Sequence, residues 1–301
     1  VTTFTGTSGM QLPVGPTEHR GGRGRGVIGG GNNPAITSLE YITIASTGDA
    51  VAFGDLTSAG WGPGSNIAST TRGVFAGGYI NTPASTFFNA IQYVTISSSG
   101  GASEFGDLSV GNYRPPGASN NTRGIFGGGW GSGWTQIVQM DYITIQTKGN
   151  ATHFGDLIIR SGEVDGKGNK AGLASPTRGI WAGGEPGGQS NVIEYVEIAT
   201  LGDSKDFGDL SEGVYEKAGL SSPTRGVWGG GNTPNLTDVI EYVTMATLSN
   251  TTDFGNLVAA NRALTAVSSS VRGVFAGGTT EPALLDTSQL ITIASTGDAT
   301  D

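Results

Sequence analysis

Six times along this chain an arginine–glycine pair opens a short apolar run that ends in glycine. The copies read RGVIGGG from Arg25, RGVFAGG from Arg72, RGIFGGG from Arg123, RGIWAGG from Arg178, RGVWGGG from Arg225 and RGVFAGG from Arg272. Their spacings are 47, 51, 55, 47 and 47 residues. A period of this size means that one supersecondary unit recurs and that each unit buries its apolar face against its neighbours. A second apolar run follows each copy: EYITIA at Glu40, QYVTIS at Gln92, DYITIQ at Asp141, EYVEIA at Glu194, EYVTMA at Glu241 and QLITIA at Gln289. A third element reads FGDL at Phe53, Phe105, Phe154 and Phe207, and FGNL at Phe254. A fourth, weaker segment precedes the next arginine, as in AGLSSPTR up to Arg225.

These segments are short, rich in Val, Ile, Thr, Tyr and Phe, and bounded by Gly, Asn, Asp and Pro, which is strand chemistry. In YVTI both faces are apolar, with Tyr93 on one and Val94 and Ile96 on the other. A strand buried on both faces belongs to a sheet sandwiched between two others. Four strands per unit, stacked around an axis, predict an all-β, six-bladed β-propeller with four antiparallel strands per blade, residues 1–301 forming one domain. The sixth copy stops at Asp301, where FGDL would follow, and VTTFTGT at the N-terminus carries Phe4 in the aromatic position. Residues 1–7 are therefore expected to complete the last blade and remove its exposed edge.

Composition narrows the function. The formal net charge of −9 argues against nucleic acid or an anionic membrane as partner. No apolar stretch is long enough for a transmembrane helix, so no membrane insertion is expected. With no cysteine, disulfides, thiolate nucleophiles and Cys-ligated metals are excluded. A residue present in every blade serves to build blades. The repeat arginines Arg25, Arg72, Arg123, Arg178, Arg225 and Arg272, and the aspartates Asp55, Asp107, Asp156 and Asp209, are read as turn and inter-blade hydrogen-bonding groups. The Gly-Asp turns at Asp49, Asp203 and Asp298 read as hairpin chemistry rather than a calcium site. No metal or other cofactor is expected.

Function is expected where the sixfold symmetry breaks. Up-and-down topology sends two loop classes out of the same face, and those loops vary in length and sequence while the opposite turns are nearly constant. The variable loops hold Trp61, Tyr79, Phe87, Phe88, Tyr113, Trp130, Trp134 and Tyr215, the candidate ligand-binding residues, whereas Trp181 and Trp228 stand at the Phe75 position of the repeat and belong to the core. Aromatics beside Asn, Gln, Ser and Asp suit stacking on sugar rings, suit a protein contact, and suit simple capping of blade ends.

The pattern resembles kelch-type propeller repeats over nearly the whole chain, with Phe of FGDL where a Trp is usual. Its particular form, RGVFGGG followed by YITIASTGDATDFGDL, resembles repeats of bacteriophage tail and fibre proteins. The resemblance implies a virion protein whose partners are other virion proteins, a host surface glycan or receptor, or further copies of itself. A purely architectural virion subunit and a secreted bacterial lectin or adhesin are the alternatives. Catalysis is not expected. His19 and His153 fall in different blades, copper-radical oxidases of kelch shape need Cys and several His, and every repeat arginine sits at a turn rather than in a sialidase-like channel cluster. Loop acids Glu163, Asp165 and Glu185 would be the candidates for a hydrolase.

Overall fold

The computed structural model describes residues 24–31, 36–58, 62, 64–81, 85–158, 167–185 and 188–301, without the side chains of 64–66. His19, Trp61, Glu163, Asp165 and the N-terminal segment 1–7 lie outside the described residues. Six antiparallel sheets form a six-bladed β-propeller, and no α-helix occurs among the described residues. In the second blade the order is Gly64–Ala68, Arg72–Ala76, Ala90–Thr95 and Ser103–Asp107, and three further blades repeat it. In the five blades where it is described, the weak segment before the arginine is thus the first strand of that arginine's own blade, which begins one strand earlier than the motif suggests. The first blade shows three strands, Arg25–Gly29, Ser38–Thr43 and Val51–Asp55, and the sixth shows Thr265–Ser268, Arg272–Ala276 and Ser288–Thr292.

The first strands line the axis. They are built from small residues (Ala171–Ala174 reads AGLA, Ala218–Ser221 reads AGLS), which suits their close mutual packing. Serine hydroxyls staple them together, Ser119 Oγ donating to Ala68 O at 3.1 Å and Ser268 Oγ to Ser221 O at 2.9 Å. Outside this ring, the apolar faces of adjacent sheets form one core per interface. Val94 and Ile96 pack into the core shared with the first blade, whereas Tyr93 packs beside Phe105 and Phe126 in the core shared with the third. Burying each such side chain contributes about 1.5–3 kcal/mol.

Each repeat arginine sends Nη1 to a backbone carbonyl of the next blade: Arg25 to Ile96, Arg72 to Ile145, Arg123 to Ile198, Arg178 to Met245 and Arg225 to Ile293. The sixth closes the ring, Arg272 reaching Ile44 of the first blade at 3.4 Å. Ile28, Ile42 and Ile44 of the first blade share a core with Val267, Val274 and Ala276 of the sixth. Five of these arginines also lie over a tyrosine of their own blade, as Arg72 over Tyr93 at 4.5 Å. The sixth blade has Leu290 at that position and no such pair. The arginine partner is therefore a carbonyl, not the aspartate of FGDL. Asp55 accepts from Thr37 Oγ1 at 3.0 Å, and Asp107, Asp156 and Asp209 offer their backbone amides to Asn150, Asp203 and Asn250 in the next blade. The turn Asp/Asn is in this way an inter-blade staple. The glycine of FGDL is required by the same turn, because a Cβ on Gly106 would stand 2.2 Å from the carbonyl oxygen of Gly149.

A second inter-blade device went unread in the sequence. In all five described pairs of third and outer strands a β-bulge precedes the acid or amide that opens the EYVTI-type strand. A bulge re-aims a side chain. Gln92, Asp141, Glu194, Glu241 and Gln289 each accept the amide of the second residue after the FGD or FGN triplet of the preceding blade. Two of them also hold buried lysines: Glu194 with Lys167 and Lys170, both at 3.0 Å, and Glu241 with Lys217 at 2.8 Å.

Candidate functional site

The loops entering the first strands share one unusual backbone position. Gly62, Arg114, Asn169, Glu216 and Ala263 all have φ between +52° and +57°. The last four stand nine residues before Arg123, Arg178, Arg225 and Arg272. The left-handed turn lets three of them hydrogen-bond their counterparts in the preceding blade: Arg114 N to Gly62 O at 3.0 Å, Glu216 N to Asn169 O at 3.1 Å and Ala263 N to Glu216 O at 3.1 Å. These loops therefore form part of a ring around the mouth of the central channel. Holding Arg, Asn, Glu and Ala in this region costs roughly 1–2 kcal/mol per residue, and the chain places a different side chain at each station.

Those side chains meet. Arg114 Nη1 donates to Asn169 Oδ1 at 3.1 Å and pairs with Glu216 Oε1. Arg262 Nη1 takes the other oxygen of Glu216 at 2.5 Å, and its second terminal nitrogen pairs with Glu281. Asn169 Nδ2 donates to Glu185 Oε1 at 2.5 Å. Burial pushes the Glu216 carboxyl up, but Arg114 and Arg262 outweigh it and hold this group below the usual carboxylate range. Burial acts on Glu185 too, and there it prevails over the Asn169 hydrogen bond, so that carboxyl is raised.

Beside this network the aromatics of the variable loops gather. Tyr79, Tyr113 and Trp130 form a buried cluster with Phe87 packed against it. Tyr113 and Trp130 are tied by reciprocal backbone hydrogen bonds of 2.8 and 3.0 Å. Trp134 caps them, its ring centroid 5.0 Å from Tyr79, 5.4 Å from Phe87 and 5.8 Å from Tyr113. It remains 50% exposed and sits at φ +59°, a strained backbone for a bulky residue. A cavity of about 490 Å³ is lined by Tyr113, Trp130 and Trp134 together with Arg114, Asn169, Glu185, Glu216, Arg262 and Leu284.

Several expectations need correction. Tyr79 is 3% exposed and outside the cavity lining, so it supports Trp134 rather than offers a face to a ligand, whereas Tyr113 and Trp130, each 8% exposed, line the cavity beside Trp134. Two-stranded hairpins at Tyr79–Ile80 with Thr86–Phe87, and at Trp130–Gly131 with Thr135–Gln136, fold these loops onto one another. Phe88 is half-buried and gives its amide to Gly78 O. Tyr215 is half-buried too, its hydroxyl accepting from Asn232 Nδ2 at 2.9 Å, away from the cavity lining. His153 lies exposed on an outer strand. Trp181 and Trp228 are fully buried. Arg114, Asn169, Glu216 and Arg262 were missed. Aligning the chain on the repeat arginines would have put three of them in one column, but each blade fills that column differently. No three His, Asp or Glu side chains among the described residues come together as a metal site.

No family model matches this chain, and no curated protein matches it. Solved structures do: 359 chains match significantly. One, described as the structure of YjhT, superposes over 97% of this chain and 95% of its own with a TM-score of 0.71 and 14% identity. At that identity the likeness is one of fold, and the fold it shares is the propeller.

Proposed function

We propose that this chain is a non-enzymatic propeller of the kelch-like type, carried on a virion as a phage tail or fibre component, that binds a host surface glycan through its variable-loop face. The observation that carries this reading is Trp134, half exposed on a strained backbone in the lining of a cavity shared with Arg114, Asn169, Glu185 and Arg262. An apolar face beside convergent hydrogen-bonding groups is the pattern of sugar recognition. Hydrolysis would need two available carboxyls. Both oxygens of Glu216 are already held by arginine, which leaves Glu185 as the remaining carboxyl of the cavity lining among the described residues and favours binding over chemistry. On a glycan array, Trp134→Ala is expected to weaken the strongest signal by about tenfold or more, with the melting temperature unchanged because the ring is half exposed. If no glycan binds and Trp134 is found buried against another particle subunit, the architectural reading replaces this one.

We also propose that every blade is four-stranded and that residues 1–7 complete the sixth. Between the first and sixth blades lies a groove of about 730 Å³ lined by Ile28, Ile42, Ile44, Val274 and Ala276. The equivalent place between the second and third blades is filled by Phe105 and Leu108 of the outer strand. Phe4 is our assignment for the missing aromatic. Phe4→Ala is expected to cost about 2–3 kcal/mol in chemical denaturation, and an unchanged midpoint would remove residues 1–7 from the groove.

A further inference from the structure

Resting on the glycan reading above, we infer that the cavity beside Trp134 is a subsite for a hydroxyl of a neutral sugar and discriminates against sugars that carry a carboxylate. Arg114 and Arg262 both line the cavity, and the Nε of each is closed off from solvent, so neither serves a ligand as donor. Arg114 is anchored at its outer nitrogen by Glu216 and Asn169, and Arg262 by Glu216 and Glu281, so both guanidiniums are committed to groups of the protein. Glu185 lines the same cavity. Asn169 meets it at Oε1, and no described residue meets Oε2. The site thus offers an acceptor, to which a neutral hydroxyl donates and a carboxylate cannot.

Charge decides against an anion. Among the described residues of the lining, two guanidiniums face two carboxylates, those of Glu185 and Glu216, which leaves no surplus of positive charge. Glu216 has spent both oxygens on the arginines, so their positive charge is answered within the protein. A ligand carboxylate would meet already neutralised cations and stand in the same cavity as Glu185. Like charges juxtaposed at a binding surface are strongly disfavoured.

The test compares, at neutral pH, oligosaccharides ending in glucose, galactose or mannose with matched oligosaccharides ending in glucuronate or galacturonate. The best neutral probe is expected to bind at least about tenfold more tightly than its acid counterpart, equivalent to ~1.4 kcal/mol. Glu185→Gln keeps an oxygen for Asn169 and removes the charge, and it should narrow that ratio chiefly by improving uronate binding. Uronates that bind as well as or better than neutral sugars would overturn the inference while leaving glycan binding intact. So would an unchanged ratio in folded Glu185→Gln, and the wild-type comparison stands by itself if that variant does not fold. Binding of neither series would overturn the glycan reading and this inference together.

Discussion

Glu194→Ala is expected to cost about 3–5 kcal/mol of stability, the penalty for breaking a buried ion pair by removing its carboxylate. The Glu194 side chain is fully buried, Lys167 and Lys170 approach Oε1 at 3.0 Å, and Oε2 accepts from Ser204 Oγ at 2.6 Å and from the Ile158 amide at 2.9 Å. Removing the carboxylate takes the shared anion from two buried ammonium groups and the acceptor from Ser204 Oγ, while the Ile158 amide keeps Ser204 Oγ at 2.8 Å. Burial raises this carboxyl, but Lys170 and Lys167 hold it below its ordinary value of 4.5. A folded-state value below the unfolded one stabilises the protein above the unfolded value, and that contribution is lost as pH falls through the folded one. Glu216 and Glu241 are lowered in the same sense, so the wild type should lose stability as the pH drops below about 4.5. Glu194→Ala should show a shallower acid limb. Urea denaturation across pH measures both, and a cost under about 1 kcal/mol would mean that the lysines find other partners or water.

Trp181→Ala is expected to cost about 3–5 kcal/mol through the cavity it opens. The side chain is fully buried, packs with Ile125, Phe154 and Val196, and donates from Nε1 to Pro116 O at 3.0 Å. It thus bridges the fourth blade to the third. Trp181→Phe should cost less than half as much, since Phe75, Phe126 and Phe275 fill the same station in other blades. Equal costs for the two variants would show that the hydrogen bond, not the volume, carries the effect.

These two residues also show what a sequence can disclose. Trp181 was legible because its station recurs six times, and a position that answers one packing constraint in every blade announces it. The repeat arginines were legible for the same reason as inter-blade hydrogen-bonding groups, though not which group they bind. The buried acids at Glu194 and Glu241 were visible as letters but not as a device, because their partners lie some thirty residues away across a blade interface. The site was the least legible. Tyr79, Tyr113 and Trp130 sit in irregular loops, where nothing local separates an aromatic that stacks on a ligand from one buried by a neighbouring hairpin. Arg114, Asn169 and Glu216 share a backbone conformation and no chemistry, so the repeat that places them also hides them.

The most direct measurement is a crystal structure of the protein soaked with the neutral oligosaccharide that binds it best. The account predicts a terminal pyranose stacked on Trp134 with a hydroxyl on Glu185. A sugar seated on the opposite face, among the turns that precede the repeat arginines, would contradict it.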